Sequence, residues 1–343
     1  MSDIDSSVGF DPARLDAYLR RVIDGAQGTM TIQRIGGGQS NPTFFVDYPE
    51  RRLVLRKRPP GPLLPSAHAI DREYRIMTAL AGSRVPVPRM LVYHAEADLI
   101  GTAFYVMERV EGRVFADCTL PGVSPAERRA MILAMAEMLA ILHRLDWRSL
   151  HLADYGREGC YFERQIARWS KQWSMSKTRE IPEIERLMQW LPANLPADDV
   201  TTIAHGDFRI GNLMFHPTEP HVVAVLDWEL ATLGHPLADL AYSALAWKLN
   251  SNEYMGMRDR DLATLGLPTE REYLDTYHAL TPEFGRLGPF HTAFALFRLA
   301  VIFEGIANRA CSDAASGDNA AEVGWLGAAF AHRAIEAIES GTA

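Results

Sequence analysis

The sequence predicts an α+β protein of two lobes, an N-terminal antiparallel sheet lobe and a larger, mainly helical C-terminal lobe. Three observations carry this. The chain has 343 residues, more than one hydrophobic core usually organises. Its first third is written in short strand-like runs separated by turn residues, and beyond Glu111-Gly112 apolar residues recur at helical spacing. The lobe boundary is placed between residues 109 and 110.

Asp11-Pro12 opens a helix with an Asp N-cap and Pro at the first helical position, and Leu15, Leu19 and Val22 continue it until Gly25. Met30–Ile35, Thr43–Tyr48 and Leu53–Arg56 read as a strand meander whose first turn, Gly36 to Asn41, is glycine-rich. After the proline-rich break at Pro59–Pro65 comes a helix over Ala69–Leu80, then strands at Leu91–His94 and Phe104–Val110. In the second lobe Ser124-Pro125-Ala126-Glu127 has the form of a capping box before Ile132, Met135, Leu139 and Leu142. Further helices are predicted over Phe162–Trp173, Ile184–Leu191, Pro236–Trp247, Arg271–Ala279, Pro289–Ala307 and Glu322–Ile338. One β island interrupts them, Leu213–Phe215 and Val222–Leu226 around the turn His216–Pro220, and Arg309–Asn319 reads as a polar loop.

Composition excludes several classes. A net charge of −8 argues against a nucleic-acid or anionic-membrane partner. Cys118, Cys160 and Cys311 are far apart, odd in number and form no C-x-x-C, which argues against a disulfide framework or a zinc site. Met1–Ser7 is polar with no apolar run after it, so no signal peptide is expected. The apolar stretches Ala130–His143 and Thr292–Ala307 are broken by Glu137 and by Arg298 and Glu304, short of the ~20 uninterrupted residues of a membrane span. A soluble, cytoplasmic protein is the expectation.

The informative stretch is His205-Gly206-Asp207-Phe208-Arg209-Ile210-Gly211-Asn212, with Asp227-Trp228-Glu229 beyond the hairpin. Two glycines put Asp207 and Asn212 on a loop, and the hairpin delivers Asp227 at the end of an apolar strand. Two carboxylates and an amide are what phosphoryl transfer to a hydroxyl requires: one carboxylate takes the acceptor's proton, while oxygen ligands hold the magnesium that bridges nucleotide phosphates. His205, beside Asp207, reads as a hydrogen-bonding scaffold rather than an acid or base. His143-Arg144-Leu145-Asp146 imitates a catalytic loop but has no Asn at the needed distance, and reads as a helix end.

H-G-D-x-x-x-x-N followed by a strand-borne Asp resembles the aminoglycoside phosphotransferase and choline kinase-like family, relatives of the protein kinases. The resemblance implies a two-lobed protein-kinase-like fold using ATP and magnesium, with Asp207 as catalytic base and Asn212 and Asp227 as metal ligands. It implies that Arg56, on the third strand, meets the nucleotide phosphates and pairs with Glu73, and that Asp239 braces the catalytic loop, against a plain first-turn residue favoured by the helix dipole. The turn containing Gly37, Gly38, Ser40 and Asn41 would cover the phosphates, with the side chains of Ser40 and Asn41 as added donors. Backbone groups from Glu108 to Val110 would read the adenine edge.

Within the family, Leu55–Gly61, Ser66–Tyr74, Ile100–Met107 and Val225–Ala241 most resemble the phosphotransferase domain fused to some acyl-CoA dehydrogenases and its free-standing bacterial counterparts. That group is associated with phosphorylating hydroxyacyl-CoA, so the resemblance implies a small-molecule hydroxyl acceptor carried as a CoA thioester. Lys57 and Arg58 are candidates for the CoA phosphates, and a solvated strand edge is the alternative. An aminoglycoside or other small-alcohol kinase, and a catalytically silent nucleotide-binding module, are the competing readings.

Overall fold

A computed structural model of the chain describes residues 9–36, 41–59, 69–311 and 324–341. The chain divides into two compact units: residues up to Glu111 together with Val223–Glu229, and Gly112–Val222 together with Leu230 onward. The polypeptide therefore enters the first unit twice, the second time for seven residues that include Asp227.

In the first unit, α1 (Pro12–Val22) starts where Asp11 Oδ1 accepts from Ala13 N at 2.9 Å. Strands β1 (Thr31–Arg34), β2 (Thr43–Tyr48) and β3 (Arg51–Lys57) form the meander, α2 (Ile70–Leu80) follows, and β4 (Met90–His94) and β5 (Phe104–Glu108) complete an antiparallel sheet of order β1-β2-β3-β5-β4. Strand alternation divides its residues. Phe44, Val46, Leu53, Leu55, Phe104 and Val106 form one core with Leu15 and Leu19 of α1. Arg56 lies opposite Tyr105 in the β3/β5 register, and α2 packs on β4 and β5. Lys57 alternates away from Arg56: it is buried with its ammonium 5.0 Å from the Phe10 ring centroid, which corrects its candidacy for a CoA phosphate.

The second unit holds α3 (Pro125–His143), α4 (Tyr161–Ser176), α5 (Pro182–Ala193), β6 (Thr202–Ala204) and β7 (Leu213–Phe215), which opens a hairpin with β8 (Val222–Val225). Then come β9 (Thr232–Gly234), α6 (Pro236–Ser243), α7 (Leu262–Leu265), α8 (Glu270–Leu280), α9 (Pro289–Cys311) and α10 (Leu326–Ser340). Among the described residues α9 alone is long and apolar enough to cross a membrane, yet its apolar window is 78% buried. It packs against α10, α4, α6 and α5 and is the core helix of this unit.

Three expectations change. Ser124 Oγ does accept from Glu127 N at 3.4 Å, but the Glu127 carboxylate goes to Arg113 at 2.7 Å instead of closing the box. The reciprocal capping box stands at Thr269 and Glu272. The helix expected over 236–247 tightens to 3₁₀ turns from Ala244. A second two-stranded sheet, unforeseen, pairs β6 with β9 through Thr202↔Gly234, Ile203↔Leu233 and Ala204↔Thr232. Three-residue strands are too short for periodicity to reveal.

Candidate active site

The β6/β9 ladder sets the catalytic-loop geometry. It ties the residues before His205 to those before α6, and α6 begins with Pro236 and carries Asp239 in its first turn. Asp239 is 2% exposed and accepts from two consecutive backbone N–H groups, His205 N at 2.5 Å and Gly206 N at 2.8 Å. His143 Nε2 lies 3.5 Å from the same carboxylate, and His143 Nδ1 is 2.6 Å from the Tyr277 hydroxyl. Burial works to raise the Asp239 pKa, but His143, His205 and the Gly206 N–H outweigh it and hold the carboxyl below its ordinary value. The helix end at His143 is thus a buried neighbour of the brace, a contact its resemblance to a kinase motif did not suggest.

Gly206 has φ +82°, and a Cβ there would stand 2.6 Å from the Leu230 carbonyl oxygen, so only glycine fits. The turn presents Asp207, whose backbone N–H donates to His205 Nδ1 at 3.2 Å, and His205 itself is fully buried. The Asp207 carboxylate is held on both oxygens. Tyr242 donates its hydroxyl to Oδ1; Asn212 Nδ2 and Arg209 Nε donate to Oδ2 at 2.8 and 3.3 Å. Asn212 Nδ2 also lies 2.8 Å from the Asp207 carbonyl. Burial and the Asp207 charge push the Tyr242 hydroxyl well above its ordinary pKa, so the proton stays on the tyrosine. Arg298 donates to the Gly206 carbonyl at 2.6 Å, and its guanidinium lies 5.5 Å from the Tyr242 ring centroid and 5.8 Å from that of Trp169.

Three of these partners were missed in the sequence. Tyr242 and Arg298 come from helices 35 and 91 residues downstream. Arg209 had a local signal: a Cβ on Gly211 would be 2.4 Å from Arg209 Nη1, so the glycine two residues on makes room for the guanidinium.

The first unit gathers Arg56, Glu73 and Asp227. Arg56 Nη2 lies 2.9 Å from Asp227 Oδ1 and 3.6 Å from Glu229 Oε2, and Nη1 lies 3.3 Å from Glu73 Oε2. Glu73 is fully buried on α2 and accepts from Asn41 Nδ2 at 2.8 Å and from the Tyr105 hydroxyl at 2.9 Å. Burial raises the Glu73 pKa despite these donors. Burial also opposes the Arg56 charge, but the neighbouring carboxylates more than offset it and hold the guanidinium above its ordinary value. Asp227 follows β8 at φ +63°, a strained position for a residue with a Cβ, kept by the Val225 N bond to the Pro86 carbonyl and by buried Trp228, whose indole donates to Val225 O at 2.9 Å. Glu229 was quoted in the sequence but given no role.

Asn41, expected to offer a phosphate donor, gives one hydrogen of its amide nitrogen to Glu73. Gly37, Gly38 and Ser40 lie outside the described residues. At the end of β5 the Glu108 N–H donates to the Arg89 carbonyl at 2.9 Å and the Arg109 N–H to the Arg52 carbonyl at 3.0 Å. The Glu108 carboxylate sits between Arg51 and Arg89 at 3.7 and 3.6 Å.

Each unit, taken by itself, carries oxygen donors of the kind a hard divalent cation takes. In the second unit Asn212 gives its amide nitrogen to Asp207 and keeps its oxygen; in the first, Asp227 keeps the oxygen not paired with Arg56. The first-unit cluster sets three carboxylates against one guanidinium, an excess of negative charge that a divalent ion offsets.

Comparison with known proteins identifies the family. The model of the phosphotransferase enzyme family (APH) matches residues 31–280. The chain is 44% identical over 317 residues to acyl-CoA dehydrogenase family member 10 of Mus musculus, covering 91% of this chain and 30% of that protein. It is 41% identical over 311 residues to acyl-CoA dehydrogenase family member 11 of Homo sapiens, covering 88% and 39%. The chain thus spans 30% and 39% of the length of these two curated relatives. A solved structure of a candidate aminoglycoside phosphotransferase from Ralstonia eutropha JMP134 superposes with a TM-score of 0.88 at 42% identity, covering 97% of this chain and all of that one. A thermostable mutant of aminoglycoside phosphotransferase APH(4)-Ia, solved as a ternary complex with AMP-PNP and hygromycin B, shares the fold at a TM-score of 0.61 and 16% identity, covering 93% of this chain and 98% of that one. On the extent of the family match and these identities, the chain belongs to the phosphotransferase enzyme family, with its protein-kinase-like α+β fold and its transfer of phosphoryl groups to hydroxyls.

Proposed function

We propose that the protein is an ATP- and magnesium-dependent kinase that phosphorylates a hydroxyl of a small acyl compound, a hydroxyacyl-CoA being the favoured acceptor. The observation that carries the transfer chemistry is the state of Asp207. Its carboxylate is held by Tyr242, Asn212 and Arg209, none of which offers it a competing base, and Oδ1 with a single donor keeps a lone pair for the acceptor hydroxyl. Asp207 orients that hydroxyl and takes its proton as the new O–P bond forms. Tyr242 and Asn212 fix the carboxylate's direction, and Asp239 fixes the loop beneath it.

Arg56 serves the nucleotide phosphates with Glu73 holding its guanidinium in place, and Val110 supplies an adenine contact. Asn212 and Asp227 would hold magnesium, which when bound neutralises charge on the nucleotide phosphates.

Two features favour an acyl acceptor over a polycationic one. The curated relatives at 44% and 41% identity are named acyl-CoA dehydrogenase family members, whereas the solved structure at 42% is named a candidate aminoglycoside phosphotransferase. The base is flanked by two guanidinium groups, Arg209 and Arg298, whose field repels a polyamine. The test is an ATP-consumption assay with a 4-hydroxyacyl-CoA panel beside an aminoglycoside panel, on wild type and Asp207→Ala. Turnover is expected with the former panel, and the variant should lose at least ~100-fold while still binding ATP. Turnover with aminoglycosides alone rejects the acceptor, and an unimpaired variant rejects the base.

A further inference from the structure

We propose that the turn of the β7/β8 hairpin is a binding site for one borderline-soft divalent ion, zinc or cobalt, held by His216, Glu219 and His221. One ligand atom from each residue lies within 4.8 Å of the other two. His221 Nδ1 and Glu219 Oε2 are 3.2 Å apart, and the imidazoles of His216 and His221 lie with centroids 4.9 Å apart and planes 25° from parallel. Ligand atoms around tetrahedral zinc stand about 3.3 Å apart, given metal–nitrogen bonds near 2.0 Å, so small side-chain rotations close the set.

The backbone beneath the three side chains is already ordered. The His216 N–H donates to the His221 carbonyl at 2.9 Å. Arg113 donates through Nε to the His216 carbonyl at 2.9 Å and through Nη2 to the Glu219 carbonyl at 3.1 Å, and is itself anchored on Glu127 at 2.7 Å. Chelation therefore costs side-chain rotamers but little chain entropy. The Thr218 N–H donates to His216 Nδ1 at 3.3 Å, with Thr218 Oγ1 3.4 Å from the same nitrogen, and these contacts orient the His216 ring over the turn.

Two imidazoles and one carboxylate select zinc, cobalt, nickel or copper over magnesium, which prefers oxygen alone. Glu219 and His221 are exposed, so water completes the coordination. The site is independent of the phosphotransfer reading. The scarcity of cysteine, from which no zinc site was expected, bears on thiolate ligands and not on imidazole or carboxylate ones.

The test is titration of the full chain, stripped by chelator, with Co²⁺ in excess Mg²⁺. One equivalent should bind with the visible bands of four- or five-coordinate cobalt and be displaced by Zn²⁺ but not by added Mg²⁺. At a hundredfold excess over Kd the melting temperature should rise by roughly 4 °C. His221→Gln should weaken binding at least tenfold, whereas His332→Gln, at an exposed histidine outside the cluster, should not. Glu219→Gln makes the same test should His221→Gln fail to fold. Wild-type affinity in the cluster variants, no saturable binding, or displacement by Mg²⁺ overturns the proposal.

Discussion

Asp239→Asn probes the brace of the catalytic loop with a change of one atom. In the wild type both carboxylate oxygens accept from backbone N–H groups, at 2.5 and 2.8 Å, in a site 2% exposed to solvent. An asparagine in either amide orientation turns an NH₂ toward one of those N–H groups. One charge-assisted hydrogen bond, about 1.5–3 kcal/mol, is lost, and a buried N–H is left unpaired at a further cost of about 1–3 kcal/mol. The expected destabilisation is ~3–5 kcal/mol, measured by denaturant unfolding followed by tryptophan fluorescence, with faster amide exchange at His205 and Gly206 as the local readout.

The pH dependence gives a second signature. Because the folded-state pKa is lowered from 3.8, the stability this carboxylate supplies is complete above about pH 4 and is lost as the pH falls through the folded value. The asparagine variant should lack that part of the acid slope. A loss under ~1 kcal/mol, with unchanged exchange at both amides, would refute the bracing argument.

Gly206→Ala places a Cβ 2.6 Å from a backbone carbonyl at φ +82°, so a cost above ~3 kcal/mol is expected in the same denaturation assay. Gly211→Ala meets only the mobile end of Arg209: stability should change by less than ~1 kcal/mol, while displacement of Arg209 from its 3.3 Å contact with Asp207 lowers turnover about tenfold in steady-state kinetics. Arg56→Lys reaches one carboxylate where Arg56 reaches three, so KM for ATP should rise roughly tenfold with kcat less affected. Each fails on the opposite ranking of stability against activity.

The sheet unit was legible because its information is local. Alternation in β2 and β3, the Asp11-Pro12 cap and the turns between strands depend on neighbours a few residues away, and they predict where Arg56 and Lys57 part to opposite faces. The loop from His205 to Asn212 was legible for the same reason, since two glycines and a five-residue interval constrain the backbone whatever surrounds it.

Contacts made at long sequence separation were not legible. No periodicity announces the three-residue pairing of β6 with β9, the placing of Tyr242 and Arg298 at Asp207, or the arrival of His143 beside Asp239. His143 was read as a helix end, as it is, and only its position in space shows that it lies beside Asp239. Asn41 and Glu229 take their places in the same way, one tied to Glu73 and the other drawn to Arg56.

From the order of its residues alone this chain determines its element types, its division of labour between sheet and helices, and the carboxylate proposed to accept a proton. Packing decides what that carboxylate touches. Backbone preferences act over a few bonds and are written in the local sequence, whereas the hydrogen bonds that hold Asp207 and the Gly206 carbonyl before it join groups up to 92 residues apart in the chain and exist only after the helices have packed.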